Sequence, residues 1–231
     1  MSNKIYFKFC LNKYFLQSIV IFICLYLINL NQTLKYNKYE NDILLIEEKL
    51  LFIQNTCNGD IYFKNNYGND AYLSASINGQ LEIMKYLEKE HNWDIHVKNN
   101  YEWDAYLLAS RYGQLEIMKY LEKEHNWSPH VKNNKANDAY LLASSYGHLE
   151  IMKYLETEHN WSPHVKNNDG NDAYLLASIY GQLKIMKYLE KEHNWSPHIK
   201  NKYGNDAYLV ASRNEKLEIM EYLEKEYNWN K

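Results

Sequence analysis

Histidine is the residue whose recurrence in this chain most invites a chemical reading. One ladder runs through His91, His125, His159 and His193, and another through His96, His130, His164 and His198. Imidazole is a common zinc ligand, so a metal site is the first chemistry to weigh. The pattern argues against it. The two histidines of one set are five residues apart across a helix end, which is not a usual zinc spacing, and no cysteine joins them. Successive sets are too far apart for one ion to bridge easily. Packing at hairpins and helix ends is the expected role. Nucleophilic catalysis fares no better, because every Ser, His and Asp candidate recurs, so that any triad would have to occur several times. No enzyme activity and no cofactor or metal is expected.

The elements that position these residues are copies of one phrase. Asn137–Asn168 reads NDAYLLASSYGHLEIMKYLETEHNWSPHVKNN, and near-identical words begin at Asn69, Trp103, Asn171 and, truncated, Asn205. Its Asp falls at Asp70, Asp104, Asp138, Asp172 and Asp206, each 34 residues after the last. A fixed period of this size marks a stack of units that bury their apolar faces only against one another. Asp before a helical run is an N-cap, so a short helix is expected over Ala71–Asn78. Gly79, Gly113, Gly147 and Gly181 end it with a left-handed turn. A second helix is expected over Leu81–Glu90. Its apolar arc (Leu81, Ile83, Met84, Tyr86, Leu87) covers more than half the circumference, as suits a helix held on both sides. Asn92, Asn126, Asn160, Asn194 and Asn228 then fit a left-handed C-cap, and the tryptophans next to them fill space beneath the helices. Pro129 and the Asn clusters make the remainder an extended arm and a tight turn.

Composition narrows the functional classes. The net charge is −3 and the pI about 6.3, without the basic footprint of a general nucleic-acid binder. Cys10, Cys24 and Cys57 show no pairing pattern and the copies contain none, which fits a reducing compartment. Mean hydropathy is −0.63. Residues 1–35 stand apart: Lys4, Lys8 and Lys13 precede the uncharged stretch Tyr14–Leu30. At ~1.5 Å per residue this stretch is slightly short of the ~30 Å hydrocarbon core. An uncleaved anchor or signal, a capping helix, and a translated segment without a role are the alternatives. The chain is therefore expected in the cytoplasm or on a membrane through residues 14–30. Asn31 and the Asn-Trp-Ser triplets at Asn126, Asn160 and Asn194 match the glycosylation acceptor pattern, but the triplets recur only because the whole phrase does.

The phrase Gly68-Asn69-Asp70-Ala71-Tyr72-Leu73-Ser74-Ala75-Ser76-Ile77-Asn78-Gly79-Gln80-Leu81-Glu82-Ile83-Met84-Lys85-Tyr86-Leu87 resembles the ankyrin repeat, most closely at His148-Leu149-Glu150-Ile151. The wording and the Lys/Asn/Tyr/Ile bias are similar to the ankyrin-like repeat proteins of giant amoeba viruses. Departures are Asp for Thr at the cap, Ala for Pro, Leu73 for His, and one extra residue per unit. A tetratricopeptide array shares the 34-residue period, but needs two long helices with little between them. The resemblance implies a mainly α solenoid of helix–turn–helix units joined by short β-hairpins or extended loops. Its expected plan is a hydrophobic N-terminal segment (1–35), a degenerate half-repeat (36–66), four repeats (67–100, 101–134, 135–168, 169–202) and a capping repeat (203–231). Glu215 replaces the turn Gly in that last unit. The implied function is protein–protein interaction by a monomer, with no nucleic acid. A membrane-anchored scaffold and a ubiquitin-ligase substrate adaptor are alternatives. In ankyrin arrays the turn tips and the end of the first helix line the binding face, and these are where the copies differ. The expected contact residues are therefore Tyr101, Glu102, Trp103, Arg111, Tyr112, Lys135, Tyr146, Asp169, Tyr180 and Arg213.

Overall fold

A computed structural model describes residues 48, 51, 52, 55 and 60–229. The chain divides into two compact units, Met1–Asn65 and Asn66–Lys231. The apolar stretch 14–30 lies outside the described residues, and no described helix is long and apolar enough to cross a membrane. In the first unit, residues 48, 51, 52 and 55 are helical, and Asp60 Oδ1 accepts from Tyr62 N at 2.9 Å. Asp94, 34 residues on, makes the same turn with His96 N at 2.9 Å.

The second unit is five helix pairs: α1 (Ala71–Ile77) with α2 (Leu81–His91), α3 (Ala105–Tyr112) with α4 (Leu115–His125), α5 (Ala139–Tyr146) with α6 (Leu149–His159), α7 (Ala173–Tyr180) with α8 (Leu183–His193), and α9 (Ala207–Arg213) with α10 (Leu217–Tyr227). The odd-numbered helices stack on one another, and each packs against its own partner. Each starts where an Asp carboxylate accepts a backbone N–H, as Asp138 does from Leu141 N at 3.0 Å. Gly113, Gly147 and Gly181 end α3, α5 and α7 in the left-handed region. Asn92, Asn126, Asn160, Asn194 and Asn228 cap the even helices in the same conformation, at φ between 47° and 51°. The turn glycines also carry a steric demand. A Cβ on Gly79 would meet Gln114 at 2.5 Å, and one on Gly113 would meet His148 at 2.7 Å. At Glu215 the strained conformation persists (φ 56°).

The first four odd helices are buried almost all round, whereas α9 buries only Ala207, Val210 and Ala211. Tyr72, Tyr106, Tyr140 and Tyr174 are fully enclosed, with Ala75, Ala109, Ala143 and Ala177 beside them. The small serine after each alanine does more than permit close approach. Ser76, Ser110, Ser144 and Ser178 each donate, at 2.6 Å, to the alanine carbonyl that opens the next odd helix. The even helices bury a narrower arc than their sequences imply: in α2 only Ile83, Met84 and Leu87 are buried. Trp127, Trp161 and Trp195 are buried, and each stacks on the histidine of the preceding arm, with centroids 4.7 Å (His96), 4.4 Å (His130) and 4.4 Å (His164) away.

A carboxylate ladder ties the outer edge. Glu122 accepts from Tyr106 Oη of its own copy at 2.5 Å, and from Tyr154 Oη and His159 Nε2 (3.0 Å) of the next. Glu88 and Glu156 repeat this arrangement with Tyr72, Tyr120 and His125 and with Tyr140, Tyr188 and His193. Burial, and then the neighbouring glutamate, pushes the phenols of Tyr72, Tyr106, Tyr140 and Tyr174 far above the usual tyrosine range.

No strand occurs among the described residues, so of the two expected linkers, short hairpins or extended loops, the extended loop with a tight turn is the one that forms. The turn closes on an asparagine. Asn133 Oδ1 accepts from Lys135 N (2.9 Å) and Asn137 N (3.1 Å), beside the backbone bonds from Asn133 N to Asn137 O and from Ala136 N to Asn133 O.

Candidate protein-binding groove

The turn tips sit side by side, and three kinds of hydrogen bond sew most of them together. Asn99 Nδ2 donates to Asn69 Oδ1 at 2.8 Å, Asn167 Nδ2 to Asn137 Oδ1 at 2.9 Å, and Asn201 Nδ2 to Asn171 Oδ1 at 2.9 Å. Backbone bonds run alongside, from Asn100 N to Tyr67 O, Asn168 N to Lys135 O and Lys202 N to Asp169 O. A third bond, from Asn100 Nδ2 to Asn66 O, Asn168 Nδ2 to Asn134 O or Lys202 Nζ to Asn168 O, completes each seam.

Between the Asp104 and Asp138 copies all three are missing among the described residues. The acceptor due to Asn133 would be residue 103, and residue 103 is tryptophan. Asn133 is 6% exposed, and its Nδ2 is buried with no partner. The same substitution strips Arg111. Its counterpart Arg213 donates from Nη1 to Asn205 Oδ1 at 2.9 Å, whereas Arg111 has Trp103 at that place. The Arg111 guanidinium lies 4.7 Å from the centroid of Trp103, 4.6 Å from Tyr146 and 5.4 Å from Tyr112, and its Nε is buried without a hydrogen-bond partner. Aromatic faces attract a cation electrostatically but accept no ordinary hydrogen bond.

This unsewn seam opens into a groove of about 500 Å³ running from Tyr67 to Tyr180. Leu108, Leu142 and Leu176 form its floor, and Tyr146 and Tyr180 contact each other along it at 5.5 Å between centroids. Its charged lining is Arg111 and Lys135, with no carboxylate. Of the residues expected at a binding face, Tyr101, Trp103, Arg111, Tyr112, Lys135, Tyr146 and Tyr180 converge here. Glu102, Asp169 and Arg213 do not line it: Glu102 pairs with Lys98 at 3.3 Å, Asp169 pairs with Lys202 at 3.3 Å, and Arg213 serves Asn205. Asn133 and Asn134 line the groove without having stood out in the sequence. The signal was the break at Trp103 in an otherwise constant Asn-Asp phrase, whose consequence falls 30 residues downstream.

The histidines are engaged elsewhere: His96, His130, His164 and His198 stack on tryptophan, His125, His159 and His193 bond glutamates, and His91 lies edge-on to Tyr86. Among the described residues no group of three or more His, Cys, Asp or Glu is placed to hold a metal. Tyr146 itself is raised above the usual tyrosine range, chiefly by burial and against the opposing pull of Arg111.

A search of curated proteins returned no match. A family model described as ankyrin repeats (3 copies) matches residues 45–133 and 140–231. Its extent, together with the stacked helix pairs and their left-handed glycine turns, shows that the chain belongs to the ankyrin-repeat family.

Proposed function

We propose that the chain is a non-catalytic scaffold that binds a partner protein across the groove between Tyr67 and Tyr180. The observation that carries this reading is the concentration of Trp103, Tyr112, Tyr146, Tyr180 and Arg111 over an apolar floor, in a family whose repeats serve protein interaction. Trp, Tyr and Arg supply most of the binding energy at protein interfaces. Along it Tyr101, Tyr112 and Tyr180 are 51%, 44% and 46% exposed. The resemblance to amoeba-virus proteins makes a host-cell protein the partner class to test first.

The test is crosslinking of the full chain in amoeba lysate, beside a Tyr112→Ala/Tyr146→Ala double variant checked for native helix content. The variant is expected to lose the crosslinked product. Equal crosslinking by both proteins would remove the groove from the account. The uncharged stretch Tyr14–Leu30 favours a second reading, the same scaffold tethered to a membrane, which fractionation of the full chain tests directly.

A further inference from the structure

The groove has a defect that its neighbours lack. Three of the four seams between turn tips are sewn by an asparagine ladder, and at the fourth Trp103 removes the acceptor. Two donors are left over beside it, Asn133 Nδ2 and Arg111 Nε, both out of contact with water. A buried donor without an acceptor is costly, and a guanidinium is a strong, forked donor suited to a carboxylate. The lining supplies two cations and no acid, in a chain whose net charge is −3. The floor continues on both sides of Arg111, to Tyr67 in one direction and Tyr180 in the other. An occupant therefore passes through the seam instead of ending in it.

From these observations we infer that the unsewn seam receives the side-chain carboxylate of an Asp or Glu lying inside an extended segment of the partner protein. Its oxygens accept from the Arg111 guanidinium and the Asn133 amide, and the flanking apolar residues of the segment lie along Tyr112, Tyr146 and Tyr180. This rests on the protein-binding reading above and adds the chemistry of the ligand. Trp103 is then the residue that sets specificity, because an asparagine there would give Asn133 Nδ2 its ladder acceptor and engage the Arg111 guanidinium as Asn205 engages Arg213 Nη1.

The experiment pans a random dodecapeptide display library on the full chain and on the variants Arg111→Gln, Trp103→Asn and Arg213→Gln. Wild type is expected to enrich peptides with an acidic residue at one fixed position. The leading peptide should bind about tenfold or more tighter than its Gln counterpart. Arg111→Gln should abolish that preference and Arg213→Gln leave it intact. Trp103→Asn should abolish it while raising the unfolding midpoint, since the ladder is repaired. This pairing separates loss of the ligand site from loss of the fold. Enriched peptides without an acidic consensus, or a preference that survives Arg111→Gln, would overturn the carboxylate and leave protein binding standing. No enrichment by wild type would sink both readings. Tighter binding of a single-stranded oligonucleotide than of the leading peptide would also overturn the proposal.

Discussion

Arg111 and Arg213 occupy the same position in two copies of one phrase, and a single preceding residue separates their fates. Beside Arg213, Asn205 offers an amide oxygen at 2.9 Å. Beside Arg111, Trp103 offers only a ring face. The effect reaches the next copy as well, because residue 103 is also where Asn133 should find its acceptor. At the seam between the Asp172 and Asp206 copies, Asn171 fills that role for Asn201. One side chain thus both closes its own copy and fastens the next, so that replacing it opens two contacts at once. The outer edge does not share the asymmetry. Glu122 spans the open seam with the same three donors that Glu156 uses at the following closed one. At this seam the copies stay joined by the glutamate ladder and by Ser110, which donates to Ala139 O, and they part at the tips.

The largest expected effect tests that outer edge in four copies together. Tyr72, Tyr106, Tyr140 and Tyr174 have phenols raised far above their unfolded value of about 10. Below pH 10 both states keep the proton and stability is unaffected. Above it the unfolded chain ionises and the folded one resists, so stability falls by about 1.4 kcal/mol per tyrosine per pH unit. Denaturant titrations from pH 9 to 11 should show the midpoint flat and then steeply declining. A midpoint unchanged at pH 11 would mean that the phenols ionise freely in place.

Next in size are Glu122→Leu and Glu156→Leu, one beneath the open seam and one beneath a closed seam. Each strands three donors and should cost about 3 kcal/mol in urea unfolding. Equal costs support an outer edge indifferent to the tips, and a clearly smaller cost for Glu122 would show that the opening extends through the stack. Asn171→Trp copies the defect onto the closed seam. It should cost about 1–2 kcal/mol by leaving Asn201 Nδ2 without an acceptor, and amide exchange near Asn201 and Lys202 should quicken. The smallest change is a gain. Glu215→Gly relieves a left-handed backbone and should raise stability by about 1 kcal/mol; a fall would mean that the Glu215 side chain makes a contact worth more than the strain.

The sequence carried the local features well, because each is decided within a few residues. Asp138 caps the helix that begins beside it, Gly147 ends that helix, and Asn160 takes the left-handed position that few other side chains tolerate. The seven residues converging on the groove were also legible, since departures from a repeated phrase locate themselves. Bonds between copies were not. The Tyr–Glu–His ladder joins positions 16, 32 and 37 apart, and no such spacing comes from helix periodicity. The asparagines at 167 and 168 read as helix breakers, when their work is to stitch tips. Whether the linkers are hairpins or extended loops was open in the sequence, and at Asn133 the tight turn is held by its backbone and its side chain together without a strand ladder.

The ladder bonds have one more implication. Every one of them links residues at a constant offset, so inserting or deleting a whole 34-residue unit would regenerate the same set of bonds at the new junction. Duplication by unequal crossing-over could lengthen or shorten this array with almost no thermodynamic obstacle. Trp103 is the exception, since duplicating its unit would create a second opening. The number of ligand-receiving notches in any descendant could then be counted from the tryptophans at this position alone.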